Sequence, residues 1–306
     1  MKQMTSTEWI AQFLASEPPR SKSLVMTIFG DAIAPHGGKV WLGSLIELLA
    51  PFGVNDRLLR TSVFRLVQEG WLVAHRDGRR SLYAIRPDAL ARFERANRRI
   101  YAQPDTQWDG SWTLLIGSNR MDAPERAALR KELEWEGYAL IVPGVLAHPA
   151  ANSALLEEII ARTGVAGKLF AVVARGLDGV SARPLAELVH DCWDLSAISA
   201  AYQHFIDTFA PLEALLQQEN LLPQAAFVIR SLLIHAYRRV ELHDPMLPLE
   251  LLPDPWPGTR AYALARDLYR LVQAQAEFHI VDVMRRGDAH APLSDAAFTR
   301  RFGGLA

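Results

Sequence analysis

The chain has 306 residues, half of them hydrophobic, a formal net charge of −1 and a single cysteine, Cys192. That length supports two or three packed cores; the near-zero charge excludes a uniformly basic nucleic-acid coat, and one thiol excludes an intrachain disulfide framework. The N-terminal stretch MKQMTSTEWIAQFLASEPPRSKS lacks the apolar core and small-residue cleavage site of a secretory signal, and no apolar run reaches the roughly 18 residues that span a bilayer, so a reduced, cytoplasmic protein without a membrane partner is expected.

In chain order, KSLVMTIFGDAIAPHGG carries apolar residues at helical spacing and stops at Pro35 and the Gly37–Gly38 pair. A second helix is expected in VWLGSLIELLAPFG, with Trp41, Leu42, Leu45, Leu48 and Leu49 as the inward stripe and Pro51 and Gly53 as its end. Asn55 is a good N-cap for a third. At about 100° per residue, Leu58, Leu59, Val63, Leu66 and Val67 share one face. Arg57, Thr61, Arg65 and Gln68 share the opposite one, with Arg60 and Phe64 beside it. Those polar side chains suit guanine edges, adenine edges and phosphates. WLVAHRDGRRSLYAI then reads as two extended runs around a turn at Asp77–Gly78, with Arg76, Arg79 and Arg80 at the tip.

Charge agrees with this reading. From Arg20 to Tyr101 there are 14 Lys+Arg against 7 Asp+Glu, which leaves 19 against 27 for the rest of the chain. A basic segment joined to an acidic remainder is the layout of a DNA-binding domain with a separate ligand or partner domain. Three helices and a basic-tipped hairpin describe a winged helix-turn-helix, with the third helix in the major groove and the wing on backbone or minor groove of double-stranded DNA. The alternative is a helix and hairpin whose arginines only solubilise the surface.

RPDALARFERANRRIYAQP reads as a charged linking helix. Next come a strand (SWTLLIGS), a helix opened by Pro124 and closed by Gly137, two short strands around Pro143–Gly144, a helix capped by Asn152, and a buried strand (KLFAVVARG). The order βαββαβ is that of a ferredoxin-like fold. From about Pro184 the pattern is mostly helical, interrupted by the proline-dense PMLPLELLPDPWPG. The expectation is an α+β multidomain chain: a winged helix over 20–90, a linking helix over 91–108, a ferredoxin-like domain over 109–178 and a helical effector or dimerisation domain over 179–306.

No catalytic set emerges: there is no nucleophile elbow, phosphate-binding glycine loop or paired-histidine zinc motif. The HDCWD stretch, with His190, Asp191, Cys192 and Asp194, lacks a second ligand pair and reads as helix with a buried thiol rather than metal site. His243 and Asp244 read as structural. In IRSLLIHAYRRVELHDP, Arg230, Arg238 and Arg239 flank His235 and Tyr237, and the adjoining loop offers Trp256. Arginines beside aromatics could hold an anionic aromatic ligand; an ion-paired helix that anchors the proline loop is the equal alternative.

Residues 23–72, the segment GRRSLYAI and residues 230–258 resemble the PaaX family of phenylacetic acid degradation repressors, and the likeness runs with weaker stretches over nearly the whole chain. The resemblance implies a winged helix, a ferredoxin-like middle domain and a helical C-terminal domain. It further implies a homodimeric repressor of phenylacetate catabolic genes, without a cofactor, released from palindromic operator DNA by phenylacetyl-CoA. The middle domain is similar to small CRISPR adaptation endoribonucleases, which carry an aspartate at the end of the first strand. That place here reads Gly117–Ser118–Asn119, so nuclease activity is not implied. The competing classes are a regulator of the same build that answers another aryl acid or aryl-CoA, an acyl-CoA hydrolase with an accessory DNA-binding domain, and an interaction scaffold. The scaffold leaves the arginine face unexplained.

Overall fold

The computed structural model describes residues 4–103, 107–176, 183 and 185–305. Helix α1 (Ser6–Ser16) opens with a capping box: the Thr5 hydroxyl accepts from the Glu8 amide, and the Glu8 carboxylate accepts from the Thr5 amide at 2.9 Å. Its Trp9 and Phe13 pack on Phe209, with ring centroids 5.4 and 5.6 Å away. The sequence reading left this helix out, although Trp9 and Phe13 stand at the i, i+4 spacing of a buried stripe. Helix α2 (Ser21–Ile28) runs on through a π turn, Phe29–Ile33, and a 3-10 turn, Ala34–His36, and ends at Gly37 with φ +82°. The whole matches the first expected helix.

Strand β1 (Lys39–Trp41) comes next, then α3 (Leu42–Leu49), α4 (Asp56–Gln68), β2 (Leu72–Asp77), β3 (Arg80–Ile85) and α5 (Pro87–Tyr101). Two expectations change. Trp41 is not in the helical stripe; it ends β1, which pairs antiparallel with β3 and places Trp41 opposite Leu82. The hairpin turn lies one residue later than expected, because Asp77 pairs with Arg80 and leaves Gly78–Arg79 as the two-residue loop. Gly78 has φ +56° there, which a residue without Cβ adopts at no steric cost. The sheet order is β1-β3-β2.

The next segment contains β4 (Ser111–Gly117), α6 (Ala123–Trp135), β5 (Ala139–Val142), β6 (Val145–His148), α7 (Ser153–Thr163), β7 (Leu169–Arg175) and α8 (Leu185–Cys192). The sheet is antiparallel throughout, in the order β5-β6-β4-β7, which is the arrangement expected of a βαββαβ unit. Alternation along the strands splits the burial into two layers. Leu115 and Leu146 join Leu129, Leu133, Leu156 and Ile159 in one cluster. Trp112 and Ala147 join Val189, Trp193, Leu247 and Leu251 in the other. The expected boundary at 178, and the helical start near Pro184, lie outside the described residues.

Helices α9 (Leu195–Phe209), α10 (Pro211–Gln218), α11 (Pro223–Glu241), α12 (Pro257–Gly287) and α13 (Ala296–Thr299) complete the chain. Packing cuts across the linear division of the sequence. One compact unit gathers residues 1–103, 204–239 and 260–306; the other gathers 104–203 and 240–259. The helix read as a linker, α5, belongs to the first unit, where Phe93, Ile100 and Tyr101 are buried. In the second unit Gly137 (φ +88°) lies so near residue 245 that a Cβ would meet the Pro245 carbonyl oxygen at 2.2 Å. The Trp193 indole donates to the Gly137 carbonyl at 2.8 Å, and the His148 ring lies 2.8 Å from the Pro245 carbonyl. Among the described residues, no helix is long and apolar enough to cross a membrane.

Candidate nucleic-acid interface

The Asn55 side chain accepts from the Leu58 amide at 2.9 Å and starts α4. Leu59, Val63 and Leu66 are buried, and α4 packs against α2 through that side; each such side chain contributes roughly 1.5–3 kcal/mol. Its outer face exposes Arg57, Arg60, Thr61, Arg65 and Gln68, all five residues expected there. Leu58 was expected on the packed side but is 46% exposed, and Phe64 is 62% exposed. The buried stripe is narrower than the sequence suggested because Ser62, at 4% exposure, takes a place in it and bonds to Ser21 at 2.9 Å. Arg57 and Arg65 have no side-chain partner among the described residues. Arg60 lies 3.0 Å from Asp56, one turn earlier. The exposed Thr61 hydroxyl donates to the Arg57 carbonyl at 2.9 Å.

On the hairpin, Arg76 and Arg79 are exposed. Arg80 is committed differently. Its guanidinium lies 3.9 Å from the centre of the Trp41 ring and donates to the Gly287 carbonyl at the end of α12. Between α3, α4, the hairpin and α12 runs an open groove of about 410 Å3, lined by four arginines, Arg60, Arg79, Arg80 and Arg286, and by Glu47. The sequence reading missed Trp41, Glu47, Arg286 and Gly287. Only Arg286 and Gly287 carry a local signal, the MRRG end of a long helix, and nothing local could bring position 287 to position 80.

The six residues expected at an effector pocket do not share one surroundings. On α11, Arg230 is fully buried and donates to Asp31 Oδ2 at 2.8 Å, Glu277 Oε1 at 2.6 Å and the Asp31 carbonyl at 3.0 Å. Arg301 meets the same carboxylate at 3.0 Å, and the Tyr101 and Tyr269 hydroxyls donate to it at 2.6 and 3.0 Å. Two arginines therefore face two carboxylates, a balance that a buried network requires. Burial pushes the Glu277 carboxyl up, but the hydrogen bond from His36 and the charge of Arg230 overcome it and hold it at about 2. Burial raises the Tyr101 and Tyr269 hydroxyls, so both stay neutral donors.

The remaining α11 residues point elsewhere. His235 lies 2.9 Å from the Thr27 hydroxyl; burial first, then Arg238 and Arg239, depress its pKa to about 3. Arg238 donates to the same hydroxyl at 2.9 Å, and burial lowers its pKa. Tyr237 is enclosed against Phe205, whereas Arg239 is exposed. Trp256 belongs to the second unit, where it is half-buried beside Tyr202, their ring centres 6.0 Å apart. Arg230 is thus placed as a structural ion-pair centre, with its donors satisfied inside the fold. Among the described residues, no group of three or more His, Cys, Asp or Glu side chains could hold a metal ion.

Three family profiles match the chain: PaaX-like protein over residues 20–87, PaaX protein central Cas2-like domain over 105–191, and PaaX-like protein C-terminal domain over 193–282. Among curated proteins, the chain is 37% identical over 290 residues to the transcriptional repressor PaaX of Escherichia coli strain K12, covering 94% of this chain and 92% of that protein. Among solved structures, it is similar to the uncharacterized protein Rv0674 from Mycobacterium tuberculosis, at 29% identity and a TM-score of 0.48, over 76% of this chain and 89% of that one.

Proposed function

The chain belongs to the PaaX family, and from that premise we propose that it is a winged-helix transcriptional repressor of phenylacetate catabolic genes, released from its operator by phenylacetyl-CoA. The family is one of regulators rather than enzymes. The observation that carries the DNA-binding part is the outer face of α4, where Arg57, Thr61, Arg65 and Gln68 are exposed together, with Arg76 and Arg79 on the hairpin. Helix α4 enters the major groove, where Arg65 can present a bidentate fork to a guanine and Gln68 can pair with an adenine. The hairpin follows the backbone as the wing. Exposed Phe64 and Leu58 supply apolar contact of the kind that reads a thymine methyl.

A repressor of this build works in the cytoplasm as a homodimer on a palindrome, with its two α4 helices one helical turn of DNA apart. Phenylacetyl-CoA then favours a dimer geometry in which that spacing is lost. It shifts the balance only by its preference for one geometry over the other. The test is a gel shift on the protein's own upstream promoter, titrated with phenylacetyl-CoA, with phenylacetate and free CoA as controls. Release by the thioester alone supports the reading. Binding that the thioester leaves undisturbed removes the inducer, and absence of binding removes the repressor.

A further inference from the structure

The groove between the hairpin and the end of α12 is lined mainly by positive charge. Four guanidinium groups and one carboxylate line it, a formal balance of +3 that Asp56 beside Arg60 and Asp282 beside Arg286 reduce to +1. Its frame is fixed. The Ser44 hydroxyl donates to the Val283 carbonyl at 3.1 Å, and Arg80 bridges Trp41 and the Gly287 carbonyl. Gly287 lies directly against the Ser44 side chain, whose hydroxyl a Cβ at that position would meet. Arg286 contacts Glu47 at 2.6 Å and Asp282 at 3.1 Å, both through Nη2. Its remaining guanidinium hydrogens, on Nε and Nη1, are left for another acceptor.

We propose that the C-terminal end of α12 is part of the DNA-binding surface: Arg286, with Arg60 and Arg79, holds a backbone phosphate of the duplex in this groove. The inference rests on the DNA reading above and adds a contact from a helix more than two hundred residues further along the chain. Continuity identifies the occupant. Arg60 stands on the exposed face of α4 and Arg79 at the hairpin loop, and both also line the groove. A duplex strand that leaves α4 for the wing therefore crosses it. A phosphodiester is the anion such a path offers, and arginine forks match its oxygens. Glu47, in the same groove, opposes that contact, so its charge tunes the affinity.

The test compares Arg286→Ala, Glu47→Gln and the unaltered protein on operator and random duplexes, by fluorescence anisotropy from 50 to 200 mM salt. Each phosphate neutralised contributes about 0.9 to the slope of log K against log salt. Loss of the Arg286 contact therefore reduces the slope by about 0.9, so that the ratio of unaltered to variant affinity shrinks about 3.5-fold over that fourfold salt range. The loss should be equal on the two duplexes. Glu47→Gln removes the same ion pair but should tighten binding to both. A purely structural role for the pair predicts weaker binding for both variants and an unchanged slope, and either finding overturns the proposal. An unchanged slope for Arg286→Ala, with impaired release by phenylacetyl-CoA, assigns the groove to a soluble polyphosphate and also overturns it. If the unaltered protein binds neither duplex, the DNA reading itself fails.

Discussion

Replacing Asp31 by asparagine is the sharpest test of what holds the first unit together. Asp31 sits at 2% exposure in the π turn after α2. Its carboxylate receives Arg230 Nε at 2.8 Å, Arg301 at 3.0 Å and the Tyr101 and Tyr269 hydroxyls at 2.6 and 3.0 Å. Asparagine keeps the shape and removes the charge, which leaves Arg230 with Glu277 as its one carboxylate and takes from Arg301 the carboxylate it meets. Removing one partner of a buried ion pair costs about 3–5 kcal/mol, a large part of the 5–15 kcal/mol that ordinarily separates folded from unfolded chains. At roughly 2–4 °C per kcal/mol for a unit of this size, the melting temperature should fall by roughly 6–20 °C. The assay is thermal unfolding followed by near-ultraviolet circular dichroism, because Tyr101 and Tyr269 lie in the network. A loss below about 1 kcal/mol would refute the reasoning, since it would mean that the guanidiniums find water or another anion once Asp31 is neutral.

Arg65→Ala should cost roughly 1–3 kcal/mol on operator and much less on random DNA if Arg65 reads a guanine; equal losses in paired binding titrations make it a phosphate contact. The His235 ring is held neutral, with its pKa depressed to about 3 from 6.5. The unfolded chain therefore takes up a proton first, and stability falls as pH drops below 6.5, by up to about 1.4 kcal/mol per pH unit. His235→Gln should flatten that part of a urea-midpoint profile. Glu277, depressed to about 2 from 4.5, adds stability that is present above pH 4.5 and is lost as pH falls through about 2, so the midpoint should keep dropping in that window in both proteins. Gly137→Ala combines a positive φ with a Cβ against the Pro245 carbonyl and should cost at least about 2 kcal/mol, read as a lower denaturation midpoint; an unchanged midpoint would mean that the loop at residue 245 yields freely.

The elements most legible in the sequence were those set by local rules. The period of α4, its Asn55 cap and the turn glycine Gly78 depend on neighbours within a few residues, and they fold nearly as expected, with Leu58 turned outward and the hairpin turn one residue later. The βαββαβ order was legible for the same reason, because each strand is bounded by its own turn residues. Trp41 was misread because an apolar residue at a strand–helix junction fits both periods; only pairing with Leu82 decides for the strand. For a related reason the sequence left the role of the α11 arginines open. Arg230 beside Tyr237 and His235 suggests a charged pocket in one dimension, whereas Asp31, 199 positions away, supplies the partner that makes Arg230 structural. The α12 contribution to the groove is of this long-range kind too, since Gly287 meets Arg80 across 207 positions.

The buried network also limits how the proposed release can work. Helix α4 rests on α2, and α2 leads without a break into Asp31. Asp31 is bonded to α5 through Tyr101, to α11 through Arg230, to α12 through Tyr269 and to the C-terminal 3-10 turn through Arg301. Swinging α2 and α4 together away from α11 and α12 would break that set, at the 3–5 kcal/mol or more that an orphaned buried charge costs. Coupling between an effector and a second site is typically 1–3 kcal/mol, too little to break it. The proposed release by phenylacetyl-CoA would therefore leave the first unit intact and act on the spacing between the two α4 helices of the proposed dimer. Asp31→Asn distinguishes the two routes. If the network is a fixed frame, the variant loses stability but keeps the concentration of thioester needed for half-release. If the network is itself the switch, the variant releases DNA without thioester.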